Sequence, residues 1–339
     1  MELYCGIDLH SNNSYVAILS GTLEQVACRR LRNDLGQVMG FLEPYREDLV
    51  AVGVESTYNW YWLVDGLMEA AYDLHLVNTT KASKYSDMKY TDDKHDARWI
   101  ARLLALGILP EGYIVPPHER RLRDLLRRRS FFVRKRADHL LSTGTLLERS
   151  TGLRVETAEI QEWSGKEVRA LIDDPFVAES VAVMLPVVRA FTRQIKSVEK
   201  QVLAEAKLRS DFRLLKTAPG IGDILALTIM YETVTIDRFP RVGNYVSYCR
   251  CAKSEHTSNN KRKGAGNRKN GNKYLSWAYS EAAHHAKRLD PLARSYFARK
   301  KKRSHPMVAK RALAAKIARG CYYVLRDQTP FDPSRTFPK

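Results

Sequence analysis

Four acidic side chains are spaced as a metal-binding set would be. They are Asp8 in Gly6-Ile7-Asp8-Leu9-His10, Glu55 in Val52-Gly53-Val54-Glu55-Ser56, and Asp93 with Asp96 in Thr91-Asp92-Asp93-Lys94-His95-Asp96-Ala97. Asp8 and Glu55 each close an apolar, strand-like run. Asp93 and Asp96 stand three apart where a helical pattern begins, so they share a face. Carboxylates converging from strand ends and a helix start suit Mg²⁺ (or Mn²⁺), a hard ion that takes oxygen ligands and leaves positions open for phosphate. The expected chemistry is at phosphodiesters. Asp92 keeps a register alternative open, since Asp92 and Asp96 also lie on one helical face. Singly, Asp8 or Glu55 reads as an ordinary strand-end polar residue; the set carries the reading.

Short strands at 3–8, 14–20 and about 24–31 are separated by His10-Ser11-Asn12-Asn13 and Ser20-Gly21, the pattern of an antiparallel meander. A helix at about 35–47, a strand through Leu49–Val54, a helix near 58–71, a strand at 73–77 and a helix from about Thr91 follow. Strands first, then alternating helices and strands, predict an α/β layered sheet. In that order Asp8 and Glu55 end adjacent central strands.

The chain has 339 residues, 44% of them hydrophobic, enough for two or three domains with real cores. Its formal net charge of +18 is unevenly placed: residues 1–112 carry ten Lys/Arg against sixteen Asp/Glu, so the excess of cations lies entirely in the remainder. An acidic catalytic module on a basic body suits an enzyme that grips a polyanion. Five scattered cysteines imply no disulfide framework and favour a reducing cytosol. Cys249-Arg250-Cys251 near His256 lacks a finger spacing and reads as buried thiols. The start lacks a basic region followed by a long apolar core, and no uninterrupted apolar run approaches membrane-spanning length. A cytoplasmic, nucleoid-associated location is expected.

From about 115 to 210 the pattern is helical and highly charged. Glu119 to Arg129 opens a long amphipathic segment, and a second runs from about 177 to 208, interrupted or kinked at Pro186. These predict an antiparallel hairpin or a coiled coil with a partner. Next, Ala218-Pro219-Gly220-Ile221-Gly222 between two apolar helical runs has the form of a helix-hairpin-helix turn, whose glycines, Gly220 and Gly222, let backbone N–H groups approach a phosphate. A plain tight connection has the same pattern. The stretch Asn259 to Lys273 carries Lys261, Arg262, Lys263, Arg268, Lys269 and Lys273 among Gly and Asn. It cannot build a core and suits a sugar-phosphate backbone, although a solvated loop has the same composition.

Gly-Ile-Asp-Leu-His, Val-Glu-Ser, and Thr-Asp-Asp-Lys-His-Asp-Ala-Arg together resemble the insertion-sequence transposases with a RuvC-like DEDD domain, relatives of the Piv-type DNA invertases. Ala-Pro-Gly-Ile-Gly, Arg238-Phe239 and Gly271-Asn272-Lys273-Tyr274-Leu275 resemble the second block of that family, so the likeness spans about 3–325. It implies an RNase H-like (RuvC-like) α/β domain at 1–112, a helical coiled-coil region at 113–210, a mainly α-helical transposase domain at 211–325 and a tail at 326–339. It implies that Asp8, Glu55, Asp93 and Asp96 bind the metal, and its Asp-x-x-Asp-Ala spacing prefers Asp93 to Asp92. The family's serine nucleophile matches Ser258, with Asn259 where the family has Gly, Cys251-Ala252-Lys253 in place of Leu-x-Pro, and Ser254 or Thr257 as substitutes.

The function implied is a DNA recombinase that moves or inverts a mobile element. Donor and target DNA, a structured non-coding guide (bridge) RNA, and a homo-oligomer, dimer or tetramer, are the partners. No Gly-x-x-x-x-Gly-Lys motif is present, and none is needed if a covalent serine intermediate preserves the bond energy. Two alternatives stay open: a junction-resolving endonuclease in which the acids activate water, and a nucleic-acid-binding protein without catalysis.

Overall fold

The computed structural model describes residues 1–82, 93–252, 256–258, 261–264 and 270–338. Arg268 and Lys269 lie outside these, as do Asp92 and Ser254. At Asp93, Thr257, Ser258, Lys261, Arg262 and Lys263 the backbone alone is described. The chain divides into two compact units, Met1–Pro117 and His118–Lys339.

In the first unit, β1 (Leu3–Leu9), β2 (Asn13–Ser20) and β3 (Gln25–Arg32) form the predicted meander. After α1 (Leu35–Leu42), β4 (Leu49–Glu55) adds parallel to β1, and after α2 (Tyr61–Glu69), β5 (Leu74–Val77) adds parallel to β4. The sheet order is β3-β2-β1-β4-β5. A short α3 (Thr79–Ala82) and then α4 (Asp93–Ala105) complete the unit. This mixed sheet is compatible with an RNase H-like domain.

Strand parity decides which face does what. Cys5, Ile7 and Leu9 of β1 and Val52 and Val54 of β4 join one apolar cluster with Val38 and Leu42 of α1 and Leu63, Val64 and Leu67 of α2. Gly6 and Gly53, paired in register, therefore face the other way, where α4 lies. A Cβ on Gly6 would collide with the Ala97 carbonyl oxygen and stand 2.6 Å from the Ala101 nitrogen. One on Gly53 would meet the Ile100 and Leu104 side chains at 2.6 and 2.9 Å. Two adjacent glycines thus form a trough that lets α4 press its Ala97–Ala101 ridge onto the backbone of the sheet.

The second unit opens with α5 (Pro117–Thr151), whose distal half packs on α6 (Thr157–Glu162), α7 (Gly165–Leu171), α8 (Pro175–Ala182) and α9 (Met184–Ala206). The second long helical run is interrupted at Val183, within one turn of Pro186, although Val183 itself keeps right-handed helical dihedrals (φ −68°, ψ −22°). Pro186 sits in the first turn of α9, where a missing N–H costs no helical bond. Helices α5 and α9 pair antiparallel within the chain: Arg129 meets Glu199 at 2.7 Å, Arg136 bonds Thr192, and Phe132 and His139 both contact Phe191. Pro175–Ala206 is apolar and long enough on composition to cross a membrane. It is nonetheless interrupted at Val183 and buries Leu185, Val188, Ile195, Val198 and Val202 against its own unit.

The larger core of this unit gathers α10 (Ser210–Leu215), α11 (Asp223–Thr233), α12 (Val242–Tyr248), α13 (Lys273–Leu289), α14 (Pro291–Lys301), α15 (Pro306–Asp327) and α16 (Pro333–Thr336). Between α12 and α13 lies a two-stranded hairpin of β6 (His256–Ser258) and β7 (Lys261–Gly264). The last residues are built into the core rather than trailing from it: Phe331 and Phe337 are buried, and Phe331 covers Gly320 of α15 so closely that no Cβ would fit there. Phe331→Ala is expected to cost about 3–5 kcal/mol, as large-to-small changes in cores do. A thermal melt of the full chain checks this, and an unshifted transition contradicts it.

Candidate functional site

Asp8, the penultimate residue of β1, lies one residue beyond the Ile7–Val54 pair, and Glu55 ends β4 one residue beyond it too. By parity both carboxylates belong to the α4 face, two residues past the glycine trough. Asp8 is 2% exposed, and its Oδ2 lies 3.1 Å from Nε2 of His10. The outgoing chain is clamped as well. The His10 carbonyl accepts hydrogen bonds from Asn33 Nδ2 and Asn59 Nδ2, both at 2.9 Å, which ties the end of β1 to the end of β3 and to the loop leaving β4. Asp96 immediately precedes Ala97, the residue seated on Gly6, so α4 delivers it to the same face; Asp93 begins the helix.

The carboxylate donors suit a hard divalent ion. Backbone register sets Asp8 and Glu55 at neighbouring positions of adjacent strands, and Asp96 lies on the helix that covers that face. Among the described residues no three His, Cys, Asp or Glu side chains are drawn into a metal-sized group. His10 is a member of this site that the sequence motif contained without revealing its role. Only folding shows that its ring turns back onto Asp8.

The serine and the basic stretch belong to the second unit. Ser258 ends β6 and pairs with Lys261, so it stands at the tip of the hairpin, with Arg262 opposite Thr257. The chain leaves α12 at Arg250 and returns at Gly271. There Asn272 N–H bonds the Tyr248 carbonyl at 2.6 Å, Arg250 Nε bonds the Gly271 carbonyl at 3.0 Å, and Cys251 N–H bonds the Val246 carbonyl. Gly271 holds φ +88° with a Cβ position 2.5 Å from the Tyr248 oxygen, a place only glycine can take. Cys249 is fully buried beside this neck, and desolvation pushes its thiol well above the ordinary range.

Asn272 is the hub of the neck. Its Oδ1 caps α13 by accepting from Tyr274 and Leu275 N–H, while its Nδ2 donates to Glu232 Oε2 at 2.6 Å and to the Tyr248 hydroxyl at 3.3 Å. Glu232, 3% exposed on α11, is gripped by Arg127 of α5 through two bonds of 2.7 Å. Burial opposes the Arg127 charge, but hydrogen bonding and attraction from Glu232 outweigh it and raise its pKa. Arg127 belongs to the charged run Glu119–Arg129, and nothing in the sequence pairs it with Glu232. The available signal was one carboxylate inside the otherwise uncharged run Ile224–Thr233. Lys273 is exposed and lies over the Tyr274 ring at 5.3 Å, with Arg127 over the same ring at 4.8 Å.

The Pro219-Gly220-Ile221-Gly222 turn joins α10 to α11 as expected, but its glycines differ. Gly220, at φ +80°, is pressed against α13, where a Cβ would lie 2.6 Å from Ala286 N, so its bareness serves packing. Gly222 precedes α11 with open space around it. The turn borders an open concavity of about 700 Å³ that includes Asp223 and Asp290, and Lys216 is paired to Asp223 at 2.6 Å. A phosphate here would meet two carboxylates as well as the helix N-terminus.

Two family profiles match the chain. One, described as Transposase and named for the DEDD transposases of the IS110 group, covers residues 5–150. The other, described as Transposase IS116/IS110/IS902 family, covers residues 212–298. No curated protein matches the chain.

Proposed function

Because the chain carries both domains of the IS110-family transposases, we propose that it moves a mobile DNA element through a covalent phosphoserine formed by Ser258. The observation that carries this reading is the placement of Asp8 and Glu55 at adjacent strand ends on the face that α4 covers. Asp8, Glu55, Asp96 and Asp93 would hold Mg²⁺ or Mn²⁺, which when bound offsets negative charge on a scissile phosphate. His10 orients the Asp8 carboxylate, and the Asn59 bond ties the end of β1 to the loop leaving β4.

Ser258 Oγ attacks the phosphorus of a DNA strand. One Oγ–P bond forms, one P–O bond to a sugar breaks, and the serine proton passes in net to the departing sugar oxygen. A sugar hydroxyl of a second strand then attacks the phosphoserine, restoring a phosphodiester and returning the proton to Ser258. No bond energy is lost, so no nucleotide is consumed. Lys261, Arg262, Lys263 and Lys273, together with Arg268 and Lys269, neutralise phosphates. Exchange between donor and target requires several protomers, with the carboxylates and the serine at one phosphate coming from different copies. A structured RNA from the element itself selects the sites, and the work is done in the cytoplasm, on the nucleoid.

The test is denaturing electrophoresis of the full chain with a supercoiled plasmid carrying the element, its flanks and its non-coding transcript. A protein–DNA adduct that survives denaturant and disappears in Ser258→Ala supports the phosphoserine. Free nicked product made as fast by Ser258→Ala identifies a water-using nuclease instead.

A further inference from the structure

We infer that Glu232, held by Arg127 and holding Asn272, is a positioning residue that fixes the neck of the Ser258 hairpin and so aims the serine. This rests on Ser258 being the nucleophile. Glu232 reaches out of a helix whose other residues from Leu225 to Thr233 are buried and uncharged. A carboxylate in that setting is costly to desolvate, and an apolar side chain of similar volume would pack the helix as well or better. What the charge adds is direction. It fixes Arg127 from α5 in a two-bond fork and orients the Asn272 amide so that its oxygen caps α13 and its nitrogen faces α11.

Three helices, α5, α11 and α13, therefore converge on one fully bonded group at the point where the hairpin rejoins the core. The main chain there has no slack. Asn272 N–H and Gly271 are both held against the Tyr248 carbonyl, and Arg250 bridges the outgoing and returning strands. A reacting group must be held within a fraction of an ångström of its productive geometry to act efficiently, and a side chain on a hairpin tip inherits the freedom of its base. Ser258 sits at the far end of β6 from this neck. Loosening the neck is thus expected to slow attack without loosening DNA.

Asn272→Asp separates the two roles of the hub. Aspartate caps a helix as well as asparagine does, but it cannot donate to Glu232 and sets two carboxylates together. In the full chain, on the plasmid described above, N272D is expected to form the covalent adduct at least tenfold more slowly at saturating DNA. Its DNA affinity should stay within twofold of the parent. Adding Glu232→Gln returns a donor–acceptor pair in the reversed sense, and N272D/E232Q should recover to within about threefold of the parent rate. Should N272D fail to fold, E232Q alone carries the test, with the same slow attack and unchanged affinity expected. Wild-type attack by N272D, or by E232Q in that event, overturns the positioning role, as does a double variant no faster than N272D. An adduct that persists in Ser258→Ala overturns the nucleophile itself, a distinct failure that takes the positioning role with it.

Discussion

Asp8→Asn is expected to lower strand cleavage and adduct formation by about a hundred- to a thousandfold, the usual scale for removing one preorganised charge that acts on the transition state. Asparagine keeps the size and one oxygen of the side chain, so the strand end and its contact with His10 survive while the charge is lost. Asp8 is 2% exposed and lies at the end of a strand buried on both faces, which places the charge in a poorly hydrated setting where it acts strongly. Two measurements decide the matter. Cleavage of the element-bearing plasmid should collapse, and the rise in melting temperature that Mg²⁺ or Mn²⁺ gives the parent should shrink, with the metal-free melt of the variant no lower than the parent's. Full activity in D8N removes the carboxylate site from the mechanism.

Gly6→Ala is expected to be the most damaging small substitution in the first unit, costing about 3 kcal/mol or more. The added carbon meets backbone, the Ala97 carbonyl oxygen and the Ala101 nitrogen, and backbone in a helix cannot turn aside as a side chain can. Helix α4, which carries Asp96, must lift from the sheet. Gly53→Ala meets only the ends of Ile100 and Leu104 and should cost clearly less. Thermal melts of the two variants, with proteolysis within 93–105 as the local readout, test the ranking. Equal melts for both would show that the glycine pair does not set the depth of α4.

Much of the first unit was readable because its signals are local. Alternating and continuous apolar runs placed β1 through β5 within a residue or two, and Asp34 marks the start of α1 by capping it. Charge patterning locates the long helices, and Pro186 marks the interruption between α8 and α9, which falls at Val183 within one turn of it. The tail was less legible still, since Phe331 and Phe337 have meaning only beside Gly320 and Tyr296.

By itself the sequence determined the carboxylates close to strand ends, the α/β sheet that carries them and the concentration of cations after residue 112. Each follows from residue type, period and order, which need no partner to be read. Tertiary structure alone decided that Gly6 and Gly53 face α4, that His10 returns to Asp8, and that Gly220 is bare for packing against α13. It alone joined Arg127, Glu232 and Asn272, residues separated by up to 145 positions in the chain. Such a group exists only because burial makes an unpaired charge too costly to leave, so helices distant in sequence must each supply a partner.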